Sequence, residues 1–257
     1  MQKYVKKLII DYVQKYQVQK DLLTRWREPL IAFAAADDQH FLELKESVSP
    51  THALPQDFLA DAGTVIAYFL PFEKSILNSN VEGQYSSREW VLAYLETNQL
   101  IADLNHYLNE ECTKLGYKSS IIPATHNFDQ ERLISDWSHR HIAYIAGLGK
   151  FGLNKMLITA KGCGGRIGSV VTNMKIEPTL PEPGEYCLYK AKGTCQRCVQ
   201  RCVGGALKAD TFDRKRCYQV LMTNDQHNPH LGLADVCGKC MVNLPCTFAN
   251  PLDSNKV

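Results

Sequence analysis

The sequence predicts a mixed α/β (α+β) fold followed by a smaller, cysteine-rich module. Apolar residues recur at helical spacing in two stretches, residues 1–24 and 86–115, which predicts amphipathic helices. The run GTVIAYFL at 63–70 is short, apolar and rich in β-branched and aromatic residues, as in a buried strand. Eight of the ten cysteines lie between residues 187 and 246, where apolar periodicity weakens.

Local signals predict where these elements begin and end. Pro71 ends the predicted strand, since proline cannot donate to a strand ladder. The segment SSRE at 86–89 offers a capping box for the long helix, and Gly116 would terminate it. Trp90 and Tyr94 within this helix fit core spacing better than a cofactor site.

A glycine-rich segment connects the long helix to the cysteine-rich part of the chain. MLIT and IGSVVTNMKI read as strands, and KGCGGR between them predicts a tight turn that joins the two. The connector EPTLPEPGE contains three prolines and is therefore stiff, so it marks a module boundary. We predict two domains, residues 1–177 and residues 178–257.

Composition limits the class of protein. The formal net charge is +2, so no strong field points to nucleic acid or to a membrane surface. The sequence has neither the apolar core of a signal peptide nor a run long enough to span a bilayer. We therefore expect a cytoplasmic protein with no membrane partner. Because the cytosol keeps thiols reduced, clustered cysteines there favour metal ligation over disulfides.

The cysteine spacing supplies enough ligands for two four-ligand sites. Cys195, Cys198 and Cys202 stand at x2 and x3 spacings, a ferredoxin run in which the last cysteine crosses to a second cluster. The segment CGKCMVNLPC adds three cysteines, and one further cysteine precedes each run, Cys187 before the first and Cys217 before the second. The predicted metal ligands are Cys187, Cys195, Cys198, Cys202, Cys217, Cys237, Cys240 and Cys246.

We predict that these ligands hold two [4Fe–4S] clusters in a ferredoxin-like module. The spacing, the small residues GGAL after Cys202 and an excess of lysine and arginine around the thiolates favour iron–sulfur. Two zinc sites need the same number of thiolates and are the alternative. Cys112 and Cys163 are expected to be structural thiols. The crossing pattern predicts one cluster on Cys187, Cys195, Cys198 and Cys246, and the other on Cys202, Cys217, Cys237 and Cys240.

The motif GLGKFG at 147–152 matches the G-x-G-x-x-G pattern of dinucleotide sites. Such a site needs a long helix after the glycines and an acidic residue roughly 20 positions further on. Only nine residues separate Gly152 from the next glycine, so no such helix can follow. The glycines are therefore expected to serve tight backbone turns.

A resemblance to a known family implies a fold and cofactors for this region. AGLGKFGLNKMLIT, a glycine turn, GSVVTNMKIEP and the double-cluster cysteine region together resemble the epoxyqueuosine reductase family, which is related to the corrinoid part of reductive dehalogenases. The resemblance covers residues 50 to 246. It implies a nitroreductase-like N-terminal module that binds cobalamin in base-off form. It also implies two [4Fe–4S] clusters that feed electrons to the cobalt.

The same resemblance implies roles for individual residues. Asp136 would donate a proton to substrate, with Asp129 as a rival. If residues 136–145 are helical, His139 lies on the same face as Asp136. His52 and Arg166 could contact amide or phosphate groups of the corrinoid, but both are expected at the surface or in turns. The residues expected to contact cobalamin are His141, Gly147, Leu148, Gly149, Lys150, Phe151, Gly152, Asn154 and Met156.

The sequence therefore predicts a cobalamin-dependent iron–sulfur oxidoreductase that takes electrons from a reduced ferredoxin or flavodoxin-type donor. One alternative is a two-cluster electron-transfer protein, or a corrinoid-reducing partner, that has no substrate of its own. A flavin-containing, nitroreductase-like iron–sulfur protein is another. The chain ends eleven residues after Cys246, without the helical-repeat domain of full-length family members, which puts a tRNA substrate in doubt.

Overall fold

The structure is a computed structural model that describes residues 1–19, 21–123 and 128–253. Its helices are α1 Gln2–Gln19, α2 His40–Ser47, α3 Pro55–Phe58, α4 Lys74–Ser79, α5 Arg88–Lys114, α6 His139–Ile145, α7 Leu188–Lys192, α8 Arg197–Gln200 and α9 Arg214–His227, with a 3-10 helix at Lys239–Met241. Its strands are β1 Leu30–Ala35, β2 Thr64–Pro71, β3 Ser119–Ile121, β4 Phe128–Asp129, β5 Ile134–Ser135, β6 Gly149–Phe151, β7 Leu157–Thr159 and β8 Gly165–Thr172.

A four-stranded antiparallel sheet lies at the centre of the protein, with strand order β1-β2-β8-β3. Strand β2 pairs with β1 on one side and with β8 on the other, and all eight of its residues are buried. The predicted buried strand at 63–70 is therefore confirmed, as is the mixed α/β class. Two short hairpins, β4-β5 and β6-β7, form separate two-stranded sheets.

The two faces of the sheet bury different helices. Ile66, Tyr68 and Leu70 point to a core that also contains residues of α1 and α5. Val65, Ala67 and Phe69 alternate with them and face a second core that contains residues of α6. Because side chains alternate along a strand, a run buried on both faces must be apolar throughout. This explains why GTVIAYFL lacks polar alternation.

Helix α5 confirms the predicted long helix and corrects its start. The first capping residue is Ser87, whose hydroxyl accepts a hydrogen bond from the backbone N–H of Trp90 at 3.1 Å. The capping box predicted from SSRE required Ser86, but the Ser86 hydroxyl instead donates to the carbonyl of Val236. At the other end Gly116 has a φ of +82°, a conformation that glycine adopts without strain.

Two other predicted boundaries differ from the structure. The N-terminal helix was expected over residues 1–24, but α1 ends at Gln19, and residue 20 lies outside the described residues. The strand expected to reach residue 176 ends at Thr172, where the Thr172 hydroxyl accepts from the N–H of Met174. The KGCGGR turn joins β7 to β8 as predicted, but the strands do not pair, since β7 pairs with β6.

Residues 178–253 contain the helix α9, three shorter helices and connecting loops. They pack against the earlier part of the chain, because Leu153 and Ile158 share one apolar cluster with Cys187, Cys198 and Leu244. The division predicted at residues 177 and 178 stays a prediction. None of the helices within the described ranges has the length and apolar character needed to cross a bilayer.

Replacement of Tyr68 by phenylalanine is expected to lower the free energy of unfolding by about 1–3 kcal/mol. The fully buried Tyr68 hydroxyl donates to Oδ1 of Asn105 at 2.7 Å, so its removal leaves a buried carbonyl without that donor. Anaerobic chemical unfolding of the variant and of wild type measures the effect. Tyr4→Phe, at a site that is 42% exposed, is the control, and equal loss in both variants would contradict the assignment.

Candidate metal centre

Four of the predicted ligands line one cavity, and we call them the first cysteine set: Cys187, Cys195, Cys198 and Cys246. The cavity encloses about 320 Å³ of empty space, part of it open to solvent. Cys187 caps the N-terminus of α7 and Cys198 lies within α8. The remaining lining is mostly apolar and includes Leu153, Ile158 and Leu244.

The thiols of the first set interact electrostatically. Burial raises the pKa of Cys198 to about 12, and the neighbouring Cys246, Cys187 and Cys195 add to the increase because thiolates repel one another. The side chains are therefore close enough to share one bound group, and a positively charged metal core would relieve the repulsion.

The other four predicted ligands form the second cysteine set: Cys202, Cys217, Cys237 and Cys240. Burial, followed by Cys237 and Cys202, raises the pKa of Cys217 to about 11. The pKa of Cys240 is also raised, first by burial and then by Cys237, Cys217 and Cys202. Helix α8 links the two sets, because Cys198 lies within it and Cys202 follows it directly.

The turn between Cys237 and Cys240 is built around Gly238. Its φ is +70°, and a Cβ atom there would overlap the indole ring of Trp90. Trp90 is 3% exposed and belongs to the main core, as predicted. The structure adds a second role, since Trp90 also supports the loop of the second set. Its indole N–H has no hydrogen-bond partner in the described part of the chain.

The donor chemistry of both sets fits iron–sulfur clusters, since each brings four thiols together and a [4Fe–4S] cluster takes four thiolate ligands. Within the described ranges, no three His, Cys, Asp or Glu side chains are arranged to hold a single metal ion. The cluster assignment therefore stays a prediction that depends on ligand number, spacing and convergence.

Cys163 lies beside the first set, although the sequence pointed only to a structural thiol in a glycine turn. It is 2% exposed, and its backbone N–H donates to the carbonyl of Cys246 at 2.9 Å. A hydrogen bond between the two thiols lowers the pKa of Cys246 and raises that of Cys163. Only the fold brings these residues together, because they are far apart in the chain.

Two residues predicted to contact cobalamin instead line the cavity of the first set, namely Gly152 and Asn154. Asn154 is 3% exposed, and its amide donates to the carbonyl of Cys240 at 2.9 Å. The same amide lies 3.8 Å from the sulfur of Cys163. Asn154 therefore connects the two cysteine sets to the β6-β7 hairpin.

The other residues predicted to contact cobalamin lie on α6 and β6 or close to them. The His141 ring lies 4.7 Å from the Phe151 ring, and Nδ1 of His141 is 2.7 Å from the Ser138 hydroxyl. Burial, then Arg140 and His52, lowers the pKa of His141 to about 4, so the ring is neutral at physiological pH. Lys150 lies over the Tyr144 ring, whereas Gly147, Leu148, Gly149 and Met156 complete this segment.

Asp136 is exposed and lies just before α6. Its carboxylate accepts a hydrogen bond from the Thr51 hydroxyl at 2.7 Å. The pairing with His139 on one helical face is wrong, because α6 begins only at His139. His139 is instead buried, with Nε2 2.9 Å from the carbonyl of Pro123.

The rival Asp129 has a different environment. Its carboxylate accepts hydrogen bonds from the backbone N–H groups of Glu131 and Arg132 at 2.9 and 2.8 Å. These bonds, with that from Arg132 the largest, lower the pKa of Asp129. A lower pKa leaves a smaller fraction of the Asp129 carboxyl group protonated, which makes Asp129 a poorer proton donor.

His52 and Arg166 are not surface or turn residues as expected. His52 is fully buried, and its Nε2 accepts from the N–H of Ser138. Arg166 lies within β8, where burial lowers its pKa, and its Nε atom is buried without a partner among the described residues. Arg140 lies near it, since the Arg140 charge adds to the lowering of the Arg166 pKa.

The fold and the site together define a mixed α/β protein with two neighbouring four-cysteine centres. Comparison with known protein families and with curated proteins gave no match. Solved structures of epoxyqueuosine reductases do match. The chain is 18% identical to the enzyme from Bacillus subtilis, described with its catalytic aspartate loop swung out of the active site, over 95% of this chain and 65% of that one, with a TM-score of 0.58.

Two further structures agree with this result. The enzyme from Streptococcus thermophilus is 19% identical over 94% of this chain and 67% of that one, with a TM-score of 0.55. An epoxyqueuosine reductase with an epoxyqueuosine-modified tRNA-Tyr stem loop is 17% identical over 95% and 65%, with a TM-score of 0.59. The chain spans about two thirds of the length of these proteins. The predicted resemblance is therefore confirmed at the level of the fold.

Replacement of Cys246 by serine is expected to remove one of two clusters, whereas Cys163→Ser is expected to keep both. Cys246 lines the four-cysteine cavity, and Cys163 contacts that ligand from outside it. Iron and acid-labile sulfide per anaerobically purified chain measure the difference. Loss of iron in Cys163→Ser with full iron in Cys246→Ser would show that Cys163 is the ligand and Cys246 is not.

Proposed function

We propose that this protein is a cobalamin-dependent iron–sulfur oxidoreductase of the epoxyqueuosine reductase type. The observation that carries the proposal is the convergence of two four-cysteine sets within a fold shared with epoxyqueuosine reductases. In this proposal residues 1–177 form a nitroreductase-like cofactor module and residues 178–257 a ferredoxin-like module. The two cysteine sets would each hold one [4Fe–4S] cluster.

The α6–β6 face next to the second set supports a cofactor site. Arg140 has accessible surface, yet burial of its guanidinium group lowers its pKa while Cys217 and Cys240 raise it. In this proposal a crevice for the cofactor lies along this face, beside Arg140. The unpaired Nε of Arg166 nearby can donate to an acceptor, as the carboxamide side chains of a corrinoid provide.

The residues proposed to hold the corrinoid are His141, Phe151 and the backbone of residues 147–150. Bound cobalamin would supply a low-valent, strongly nucleophilic cobalt, and the clusters would supply its electrons. His141 and Phe151 present a half-buried imidazole and an aromatic ring to one side of the crevice. Gly152 and Asn154 are assigned to the first cysteine set in this proposal, because they line its cavity.

Asp136 is the proposed proton donor. It precedes α6, is accessible to a substrate, and its carboxyl group is oriented by the Thr51 hydroxyl at 2.7 Å. The hydrogen bond from the Thr51 hydroxyl holds the Asp136 carboxyl group in one orientation, as a positioned general acid requires. The description of the Bacillus subtilis neighbour as having a catalytic aspartate loop supports the same role here.

The proposed substrate class is an epoxide on a modified nucleoside. One solved neighbour contains an epoxyqueuosine-modified tRNA stem loop, so this stem loop is the first substrate to test. The doubt about tRNA came from the chain length alone, and the fold shared with that protein makes tRNA a candidate partner again. The proposed electron donor is a reduced ferredoxin or flavodoxin-type protein.

Anaerobic titration with cobalamin is expected to give saturable binding and a base-off absorption spectrum. His141→Ala should weaken binding about tenfold or more without loss of iron, because it removes one cofactor contact worth about 1.4 kcal/mol. His106→Ala, at an exposed position on α5, is the matched control. Full iron with no cobalamin binding would reject the proposal in favour of an electron-transfer protein. Saturable flavin binding instead would indicate the flavin alternative.

Asp136→Asn is expected to slow turnover by about 10²–10⁴-fold, the usual contribution of a general acid, while both clusters and cobalamin binding stay intact. Reduction of the modified stem loop, measured by mass spectrometry, gives the rate. Asp129→Asn is the matched control and should keep wild-type turnover. Unchanged turnover in Asp136→Asn would remove Asp136 from the reaction. Wild-type protein that binds cobalamin yet leaves the stem loop unreduced would reject only this substrate.

A further inference from the structure

Charged groups are distributed unevenly around the two cysteine sets. Within the described ranges, the residues that line the cavity of the first set include no Lys, Arg, Asp or Glu. Its walls are apolar side chains, proline, glycine and the amide of Asn154. A cluster in this cavity would therefore carry its negative charge in a low-polarity environment with no cation against it.

The second set contains a buried cation in its own loop. Lys239 lies between Cys237 and Cys240, is 1% exposed, and donates to the carbonyls of Asn80 at 3.0 Å and Glu82 at 2.7 Å. Both partners are neutral backbone groups. Burial lowers the pKa of Lys239, and Cys237 is the largest charge that opposes this effect, ahead of the Glu82 carboxylate. The buried ammonium group of Lys239 therefore lies in the loop that carries Cys237 and Cys240, bound to two neutral carbonyls.

Two arginines add positive charge around the same set. Arg140, on α6, donates to the carbonyl of Lys155 at 3.0 Å. The neighbouring Asn154 donates to the carbonyl of Cys240 at 2.9 Å, so Arg140 is held close to the second set. Burial lowers the pKa of Arg140, and Cys217 and Cys240 oppose this effect. Arg201, next to Cys202, donates to the carbonyls of Lys239 and Val81. Three cations thus lie around the second set.

The reduction potential of an iron–sulfur cluster depends on local charge, hydrogen bonds to sulfur and solvent exposure. Reduction adds one negative charge, so a nearby buried cation favours the reduced form. The Cys163 thiol acts in the same direction on the first set, but a neutral S–H donor exerts a weaker field than several full charges. The balance favours reduction of the second cluster.

We propose that Lys239 and Arg140 give the cluster of the second cysteine set the higher reduction potential, and so direct electrons from the first cluster towards α6. This inference rests on the proposed function. One electron leaves the reduced first cluster, which becomes oxidised, and enters the second cluster, which becomes reduced. The ferredoxin or flavodoxin-type donor then reduces the first cluster again. No proton is transferred and no covalent bond changes in this step.

The test is an anaerobic redox titration of the full chain followed by electron paramagnetic resonance. The signal that disappears in Cys246→Ser identifies the first cluster. Lys239→Met and Arg140→Gln should each lower the midpoint potential of the second cluster and leave the first unchanged. Arg140→Lys keeps the charge and should restore most of the wild-type value. Lys190→Met is the matched control, because this exposed lysine on α7 is screened by solvent.

The outcomes separate the inference from the proposed function. Absence of any iron–sulfur signal in wild type would reject the clusters and with them the whole proposal. Two clusters with equal potentials, or a higher potential on the first, would overturn the inference alone. The inference would also be overturned if the variants at positions 239 and 140 had the same midpoint potentials as Lys190→Met. Lys239→Met could lose iron, because the carbonyls of Asn80 and Glu82 lose their donor. In that case the midpoint potential of the second cluster in Arg140→Gln decides whether the inference holds.

Discussion

The convergence of buried cysteine side chains in two sets is the constraint on which this structure depends. Both sets contain cysteines with a raised pKa, caused first by burial and then by other cysteines of the same set. Thiolates this close are stable only around a positively charged centre, and metal binding to such a site therefore supplies folding free energy. Apart from α9, the helices of residues 178–253 are at most five residues long, so ligation would add order to the loops that carry the cysteines.

Contacts that cross the predicted module boundary show how the cysteine sets are tied to the sheet. Asn154 from the β6-β7 hairpin reaches the carbonyl of Cys240, and Cys163 reaches Cys246. On the other side, the ring of Trp90 in α5 supports Gly238, and Asn80 donates to the carbonyl of Cys237. A structural change in the loops that carry Cys237, Cys240 and Cys246 would therefore be felt directly by α5 and the β6-β7 hairpin, through these contacts.

Local sequence patterns predicted the elements whose signals are local. The apolar run of β2, the periodicity of α5 and Gly116 at its end all depend on neighbouring residues. Long-range contacts could not be predicted from neighbouring residues. The hydroxyl of Ser86 is taken by Val236, which moves the helix cap to Ser87. The same holds at the site, where the eight ligands were visible from spacing, whereas the positions of Cys163, Lys239 and Asn154 required the fold.

In the proposed function the two cysteine sets hold two [4Fe–4S] clusters rather than zinc. Mössbauer spectroscopy of anaerobically purified, iron-labelled protein, combined with iron, sulfide and zinc analysis per chain, tests it most directly. We expect equal amounts of iron and acid-labile sulfide, as two clusters per chain require, with [4Fe–4S] Mössbauer parameters and no stoichiometric zinc. Stoichiometric zinc, with neither iron nor sulfide and without broad visible absorbance, would contradict it.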